Sequence, residues 1–167
     1  RDPDRSVGRK EDPFGGDFLE QIASTSERTR NARLRRIKDA LLVAVPQLRD
    51  VELWRDNRGT PHVRGKYENW RAQGAWQTEE QFSDGTLRLM GLLWAVLNGS
   101  GPLLLEEPEL SLHSEVVRFL PQMFSRIQRR SGRQILISSH SPGLLQDEGI
   151  GLDEALLLKP SAEGTTL

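Results

Sequence analysis

Residues 101–113 read GPLLLEEPELSLH, an apolar run that changes abruptly to two adjacent carboxylates followed by a proline. The run over residues 103–105 predicts a short strand that is buried on both sides in a parallel sheet. Glu106 and Glu107 stand where this strand ends. The segment therefore predicts an α/β fold in which a strand delivers two carboxylates to the edge of its sheet.

A second apolar run, residues 135–137, predicts the next buried strand, and it leads into serines and His140. A helix predicted over residues 110–130 joins the two strands, so a right-handed βαβ unit is the expected connection. Ligands of open parallel sheets bind beyond the carboxyl ends of the strands. We therefore expect Glu106, Glu107 and His140 to form a site for phosphate and a divalent cation.

A small polar turn precedes the long apolar helix predicted over residues 86–97. It consists of Ser83, Asp84, Gly85 and Thr86. A helix N-terminus presents free N–H groups and the positive end of the helix dipole to anions. Serine, aspartate and threonine are also ordinary N-cap residues. The turn therefore has two interpretations, an anion site or a plain helix start.

The composition restricts the classes of protein to which the chain can belong. Its 167 residues suit one domain or a large part of one. The net charge of -1 argues against a generally basic nucleic-acid binder, and the absence of cysteine excludes disulfides, thiol catalysis and cysteine-ligated zinc. No apolar run is long enough to span a bilayer, and the polar N-terminus has no signal-peptide core. These features predict a cytoplasmic protein without a membrane partner.

The sequence pattern divides the chain into three regions. The pattern predicts a tail or linker over residues 1–16, a helical and β-hairpin segment over residues 17–81, and the core of the domain over residues 82–167. Apolar residues at spacings of three and four indicate helix over residues 17–45, up to Pro46. The remaining predicted elements are strands over residues 51–54, 62–67 and 155–159 and a short helix over residues 141–146.

Three of these segments occur in the order found in the C-terminal half of an ABC-class ATPase head, and the chain resembles the RecF/SMC-like group of AAA-type ATPases. Residues 103–107 resemble the Walker B motif, residues 83–86 the signature loop and residues 110–113 the D-loop, while His140 occupies the place of the switch histidine. The resemblance covers about residues 82–158. It implies the C-terminal lobe of a P-loop NTPase-like α/β fold, with a mostly parallel sheet flanked by helices and an N-terminal helical and hairpin region.

The resemblance implies ATP and Mg²⁺ as cofactors and a role for each motif. Glu106 takes the magnesium position, Glu107 that of the catalytic base, and His140 that of the γ-phosphate sensor. The signature loop binds the γ-phosphate of the nucleotide on the opposing subunit, which implies a head-to-head homodimer. The family usually has aspartate at the place of Glu106, and glutamate is one methylene longer. A DNA-related process such as repair, with DNA as a partner, is what the family suggests.

The Walker A loop is missing from this sequence. No Gly-x-x-x-x-Gly-Lys-[Ser/Thr] occurs, and the only Gly-Lys pair, Gly65-Lys66, is followed by Tyr67 and has Thr60 where the first glycine should be. We therefore expect an upstream lobe of the same protein to supply the loop, and we expect the chain alone to be inactive as an ATPase.

Two other functions remain open. The missing loop and the glutamate at position 106 fit a degenerate head that only dimerises or binds DNA through the basic residues between 28 and 38. A solvated helix face explains these basic residues better. The third hypothesis is a metal-dependent hydrolase that uses Glu106 and Glu107 together with His113 and His140. The spacing of the histidines, however, matches no zinc pattern.

Overall fold

The computed structural model describes residues 18–68, 75–99, 101–110, 112–162 and 164–166, and the tail predicted over residues 1–16 lies outside them. Within the described residues the strands form a three-stranded antiparallel sheet, a parallel pair and a small hairpin. The helices are α1 (Phe18–Ser24), α2 (Glu27–Leu41), α3 (Asp84–Leu97), α4 (Ser114–Val117) and α5 (Leu120–Ser131). The strands are β1 (Leu48–Arg55), β2 (Pro61–Tyr67), β3 (Ala75–Thr78), β4 (Leu103–Glu106), β5 (Ile135–Ser138), β6 (Lys159–Ser161) and β7 (Gly164–Thr166).

The core lies where helices α2, α3 and α5 meet. Each helix presents apolar residues at spacings of three and four, which places them on one face. Trp94 is almost fully buried there; Phe18 meets its ring edge-on at 6.4 Å, and the Arg33 guanidinium lies 5.2 Å from its centroid. The fully buried residues of the three helices include Leu34, Ile37, Leu41, Leu89, Met90, Leu93, Leu120, Met123 and Ile127. Among the described residues, no helix combines the length and apolar character that crossing a membrane requires.

Strands β1 and β2 form the predicted hairpin, and Asp56 closes its turn. The Asp56 carboxylate accepts hydrogen bonds from the backbone N–H groups of Arg58 at 2.9 Å and Thr60 at 2.7 Å. Desolvation raises the pKa of Asp56, but these hydrogen bonds outweigh it and hold the pKa below its ordinary value. Gly59 takes a φ of +83°, which glycine adopts without steric cost. The turn chemistry therefore fixes the register, in which Leu53 faces Val63.

Strand β3 is an addition that the sequence pattern did not predict. It pairs antiparallel with β2, with Gly65 opposite Gln77. The segment is short and polar, and β3 lies at the edge of the sheet, where one side of the strand has no neighbour among the residues that the structure describes. A strand in that position needs no apolar alternation, so periodicity gives no signal for it.

The parallel pair β4 and β5 confirms the predicted α/β connection. Leu103 pairs with Ile135, Leu105 with Ile137 and Glu106 with Ser138. The side chains of Leu103, Leu105, Ile135 and Ile137 pack against the core. A helix-containing connection of this kind brings the carboxyl ends of both strands to one edge, which is where the polar residues lie.

The outer face of this pair corrects the prediction that both strands are fully buried. Leu104 is 73% exposed and its cross-strand partner Leu136 is 46% exposed. Side chains alternate along a strand, so these leucines point away from the core that covers the other face. No element of the described residues covers this side. We call Leu104 and Leu136 the open leucine face.

Arg133 anchors the end of α3 to the start of the parallel pair. Its guanidinium donates to the carbonyls of Ala95, Val96 and Asn98 at the C-terminus of α3 and, at 2.6 Å, to that of Gly101 before β4. The last carbonyls of a helix have no intrahelical donors, and a cation there also complements the helix dipole. One side chain therefore satisfies several backbone acceptors at once.

The helix predicted over residues 110–130 is in fact two helices. Helix α4 ends at Val117, and α5 begins after Phe119 with a proline in its first turn. Pro121 has no N–H, and its ring would clash with the carbonyl of Val117 in a continuous helix. The chain therefore turns before Pro121 and restarts. The end of α5 follows the prediction, with Gly132 in the left-handed region at φ +63°.

The C-terminal predictions are partly wrong. The helix expected over residues 141–146 is a single 3₁₀ turn, Leu144–Gln146. Residues 155–158, the main part of the predicted strand, have no partner strand in the described part of the chain and expose Leu156, Leu157 and Leu158. Strand β6 begins only at Lys159 and pairs with β7 as a local hairpin. An apolar run signals burial against something, but it does not specify a strand partner.

Candidate functional site

The turns after β4 and β5 lie side by side. The ladder extends one residue past the strand, because the Glu107 N–H donates to the Ser138 carbonyl at 2.8 Å. Glu107 has a φ of +44°, the only positive φ of a non-glycine residue among those described. L-residues in this region are strained, and such strain is found often at functional sites. The chain therefore reverses sharply at Glu107, directly beyond the sheet edge.

Glu107 and His140 form a hydrogen-bonded pair at this edge. His140 Nδ1 lies 2.9 Å from Glu107 Oε1, although the two residues are 33 positions apart in the sequence. The His140 side chain is 75% exposed and that of Glu107 is 34% exposed. The structure thus brings together two of the residues that the sequence placed at one edge, and it leaves the second ring nitrogen of His140 open to solvent.

Glu106 is separate from this pair. It is the last residue of β4 and has the outward orientation of Leu104, so its carboxylate is exposed. In the described residues it makes no hydrogen bond or ion pair, and no group of three or more acidic or histidine side chains there could hold a metal ion. A single free carboxylate suits Mg²⁺, which keeps several waters and takes its remaining ligands from phosphate. The arrangement does not supply the ligand set of a zinc hydrolase.

The turn over residues 83–86 forms the N-terminus of α3. Ser83 is the N-cap, and its Oγ accepts a hydrogen bond from the Thr86 N–H at 3.2 Å and lies 2.9 Å from Thr86 Oγ1. Asp84 and Gly85 are the first helical residues, whose N–H groups have no intrahelical acceptor. In the described residues no hydrogen bond or ion pair links this turn to Glu106, Glu107 or His140. The turn is thus an intact cap, and the N–H groups of Asp84 and Gly85 have no hydrogen-bond partner in the described residues.

Gly85 has room for a side chain within its own chain. A Cβ placed there would meet only Leu112 Cδ2, at 3.9 Å, which is an ordinary van der Waals contact. Its φ does not lie in the left-handed region. Neither packing nor backbone conformation therefore requires glycine at this position. Glycine also lowers helix stability relative to alanine, so the fold of this chain gives no reason for glycine at position 85.

A cavity of about 500 Å³ opens beside this helix start. Ser83, Gly85 and Thr86 line one side, and His113 and Tyr67 line others. Burial raises the pKa of the Tyr67 phenol, so it stays a neutral hydrogen-bonding group. His113 Nδ1 accepts the Glu115 N–H at 3.2 Å and so caps α4. His113 therefore has a structural role here; its neighbour Ser111, in the segment that resembles the D-loop, lies outside the described residues.

Glu109 is a buried residue of the site that sequence reasoning missed. Only 8% of it is exposed, and it accepts a short hydrogen bond from Ser139 Oγ. Its second oxygen, Oε2, is buried without a hydrogen-bond partner in the described residues. The sequence shows Glu109 as one more acidic residue after a proline. The one sequence signal for the burial of Glu109 is that it is a third carboxylate, placed beyond the end of the strand.

Comparisons with known proteins give a family and a fold. Residues 4–146 match the model of a family described as "AAA domain, putative AbiEii toxin, Type IV TA system". No curated protein matches the chain.

Solved structures of SMC heads have a similar fold. One, described as "Structural biochemistry of ATP-driven dimerization and DNA stimulated activation of SMC ATPases", is 12% identical with a TM-score of 0.57, over 89% of this chain and 84% of that chain. The Smc head domain from Pyrococcus furiosus, bound to the C-terminal domain of ScpA, is 16% identical with a TM-score of 0.52, over 71% of this chain and 30% of that chain. The SmcHead bound to the C-winged helix domain of ScpA is 13% identical with a TM-score of 0.51, over 76% of this chain and 42% of that chain. The chain thus spans less than half of the last two structures.

Proposed function

Because the chain belongs to this AAA-domain family and has the α/β fold of SMC ATPase heads, we propose that it is the C-terminal half of an ATPase head that hydrolyses ATP with Mg²⁺ in a head-to-head dimer. The observation that carries the proposal is the Glu107–His140 pair at the carboxyl edge of two parallel strands. That edge is where nucleotide chemistry occurs in open α/β sheets.

Glu107 has the position and the free oxygen that a catalytic base needs. His140 engages Oε1, so Oε2 remains to accept a hydrogen bond from the water that attacks the γ-phosphorus and then its proton. The sharp backbone turn at Glu107 projects this carboxylate beyond the sheet edge. Nε2 of His140 is the ring atom left for a γ-phosphate oxygen, and an imidazolium donates from both nitrogens.

Glu106 is the residue that would hold Mg²⁺. It is exposed, and in the described residues it is free of hydrogen bonds and ion pairs. When bound, the ion neutralises charge on the phosphate oxygens. Because glutamate is one methylene longer than the usual aspartate, Glu106 would hold the ion either through a water or at a shifted position.

Gly85 supports the assignment of residues 83–86 as a signature loop that acts on a second head. Its own chain leaves space for a Cβ, and a helix N-terminus with exposed amides favours an anion. A γ-phosphate presented by the opposing head would approach these amides directly if position 85 has no side chain. The proposal therefore includes a homodimer in which each head completes the nucleotide site of the other.

The open leucine face supports a second partner, the lobe that carries the Walker A loop. Parallel sheets occur almost only with both faces covered, yet Leu104 and Leu136 are exposed. The sequence contains no phosphate-binding loop of its own. We therefore place the lobe with that loop on the open leucine face. Leu104→Asp should abolish assembly with it without unfolding the chain, whereas Leu152→Asp, at a 96% exposed leucine elsewhere, should not.

A degenerate head is the second candidate, and Glu106 in place of aspartate is the observation that favours it. This candidate retains dimerisation or DNA binding without turnover. A DNA-related process belongs to both candidates, since DNA-stimulated activation is described for the SMC ATPases of similar fold. Of the basic residues of α2, Arg33 is engaged within the core, with Trp94 and with the Asn98 side chain at 3.1 Å, so it is not available to DNA.

The experiment measures Mg²⁺-dependent ATP turnover and dimerisation of a protein that contains this chain together with a Walker A lobe. Glu107→Gln should abolish turnover and trap an ATP-bound dimer, while the control Glu148→Gln, at an exposed carboxylate outside the site, should behave as wild type. Unchanged turnover in Glu107→Gln would sink the proposal. Absence of turnover in the wild type, restored by Glu106→Asp, would establish the degenerate head.

A further inference from the structure

The buried carboxylate of Glu109 connects the two turns of the site. Its Oε1 accepts a hydrogen bond from the Ser139 hydroxyl. Because that hydroxyl donates to Glu109, its lone pairs remain available, and it accepts the Ser141 N–H at 3.0 Å. Burying a carboxylate is costly unless hydrogen bonds compensate for lost water, yet Glu109 Oε2 has no partner in the described residues. The fold therefore buries a carboxyl group with one oxygen unpartnered, and the hydrogen bonds of the other oxygen form a link that spans both turns.

The backbone on either side of His140 is hydrogen-bonded, while the imidazole itself has, in the described residues, only its contact with Glu107. Before it, the Ser138 carbonyl accepts from the Glu107 N–H at 2.8 Å. After it, the backbone of Ser141 is fixed through Ser139. The imidazole is 75% exposed, so little packing orients it. Its position against Glu107 is therefore set by the backbone on both sides.

We propose that Glu109 is a positioning residue, which acts through Ser139 to hold His140 within hydrogen-bonding distance of Glu107. The position of His140 against Glu107 is a property of this chain alone, whereas the effect of that position on catalysis rests on the proposed function. Misplacement of a reacting group by about 1 Å costs on the order of 100-fold in rate. Loss of the link should therefore reduce turnover of the assembled head by about 10- to 100-fold, with the KM for ATP nearly unchanged.

The first test needs no nucleotide. Imidazole ¹⁵N signals of the chain report whether Nδ1 of His140 is hydrogen-bonded, and Glu107→Gln provides the reference for an altered pair. The chain has three histidines, so His140→Gln assigns the signal. Ser139→Ala should shift the His140 signals toward those of Glu107→Gln. Ser139→Thr, which keeps the hydroxyl, should restore the wild-type spectrum.

Ser161→Ala is the matched control, since it also deletes a donating serine hydroxyl, here one bonded to the Gly164 carbonyl at 2.7 Å. It should leave the His140 signals unchanged. Wild-type His140 signals in a folded Ser139→Ala protein would overturn the proposal, and so would an equal shift in Ser161→Ala. Glu109→Leu removes the carboxyl group itself and should shift the His140 signals in the same direction as Ser139→Ala. The serine variants decide the test if Glu109→Leu does not fold. A shifted imidazole in Ser139→Ala without ATP turnover in the wild type would refute the proposed function and leave this inference standing.

Discussion

Replacing Gly85 with alanine should raise the stability of the chain while it lowers the ATPase activity of the assembled head. Gly85 is the second residue of α3, and a Cβ there would approach only Leu112 Cδ2, at 3.9 Å. The methyl group therefore fits without moving its neighbours. It would nevertheless stand beside the exposed N–H groups of the first helical turn, where we place the γ-phosphate of the opposing head.

The size of the stability effect follows from the backbone. Glycine to alanine at a position with compatible φ and ψ stabilises a protein by about 0.4–1 kcal/mol, mainly because the unfolded chain loses conformational freedom. Gly85 lies in the first turn, where helix propensity counts less than in the interior. We therefore expect a gain near the lower limit, about 0.5 kcal/mol, in the free energy of unfolding measured with urea.

Gly91 offers a control in the same helix. A Cβ at Gly91 meets no atom within 4 Å, and its place in the middle of α3 predicts a gain of about 0.8–1 kcal/mol. Gly91→Ala should leave ATP-driven dimerisation and turnover of the assembled head at wild-type levels. Gly85→Ala should reduce both by about 100-fold, the scale of a displaced reacting group.

The reasoning about Gly85 has two separate points of failure. Wild-type turnover in Gly85→Ala would show that no ligand approaches this helix start closely, and the signature-loop assignment would fall. A destabilised Gly85→Ala would instead show that the chain itself needs glycine there. An equal loss of turnover in Gly91→Ala would attribute the effect to α3 as a whole.

Three further predictions concern the strained turn, the helix anchor and one titratable pair. Glycine at position 107 should relieve the strain of the φ of +44°, which is worth about 1–2 kcal/mol, while its extra entropy in the unfolded chain costs about 0.5–1 kcal/mol. Glu107→Gly should therefore have a higher free energy of unfolding in urea than Glu107→Gln. An equal or lower free energy of unfolding contradicts the strain. Arg133→Ala should lower the free energy of unfolding by roughly 1.5–3 kcal/mol, because charged hydrogen bonds to helix-end carbonyls are lost. Arg133→Lys should recover only part of that free energy. A decrease below about 0.5 kcal/mol in Arg133→Ala would show that Arg133 is not an anchor. His62 Nδ1 donates a hydrogen bond to Glu79 Oε1 at 2.6 Å, and this bond raises the pKa of His62 above its ordinary value of 6.5. The stabilisation is therefore full below about pH 6.5 and is lost as the pH rises through the raised folded pKa. Glu79→Gln should flatten that decline in a pH series of urea unfolding curves.

The sequence predicts those features that depend on local pattern. Apolar runs predict β4 and β5, the strand patterns over residues 51–54 and 62–67 predict the hairpin, and serine before an apolar helix predicts the start of α3. The contact between Glu107 and His140 follows from parallel strands ending at one edge. These predictions succeed because each rests on a few neighbouring residues whose physical preferences agree.

Features that depend on distant residues could not be predicted in this way. The exposure of Leu104 depends on what lies against the sheet, which an apolar run does not specify. Glu109 is buried beside Ser139, 30 positions away in the sequence, and β3 forms by pairing with β2, the central strand of its sheet. Pro121 was readable as a helix break, since its ring excludes the carbonyl of Val117, but the apolar periodicity on both sides obscured it.

The anchor at Arg133 has a consequence for how the two ends of the head communicate. Helix α3 has 14 residues and is about 21 Å long, with the proposed trans-acting loop at one end and the Arg133 anchor at the other. Directly after Arg133 the chain runs along β5 to His140. The Arg133 hydrogen bonds thus tie the end of α3 to the chain just before β4 and β5. A displacement of α3 by a second molecule at residues 83–86 would have this connection as its route toward β5 and His140, and loss of the Arg133 side chain would remove it.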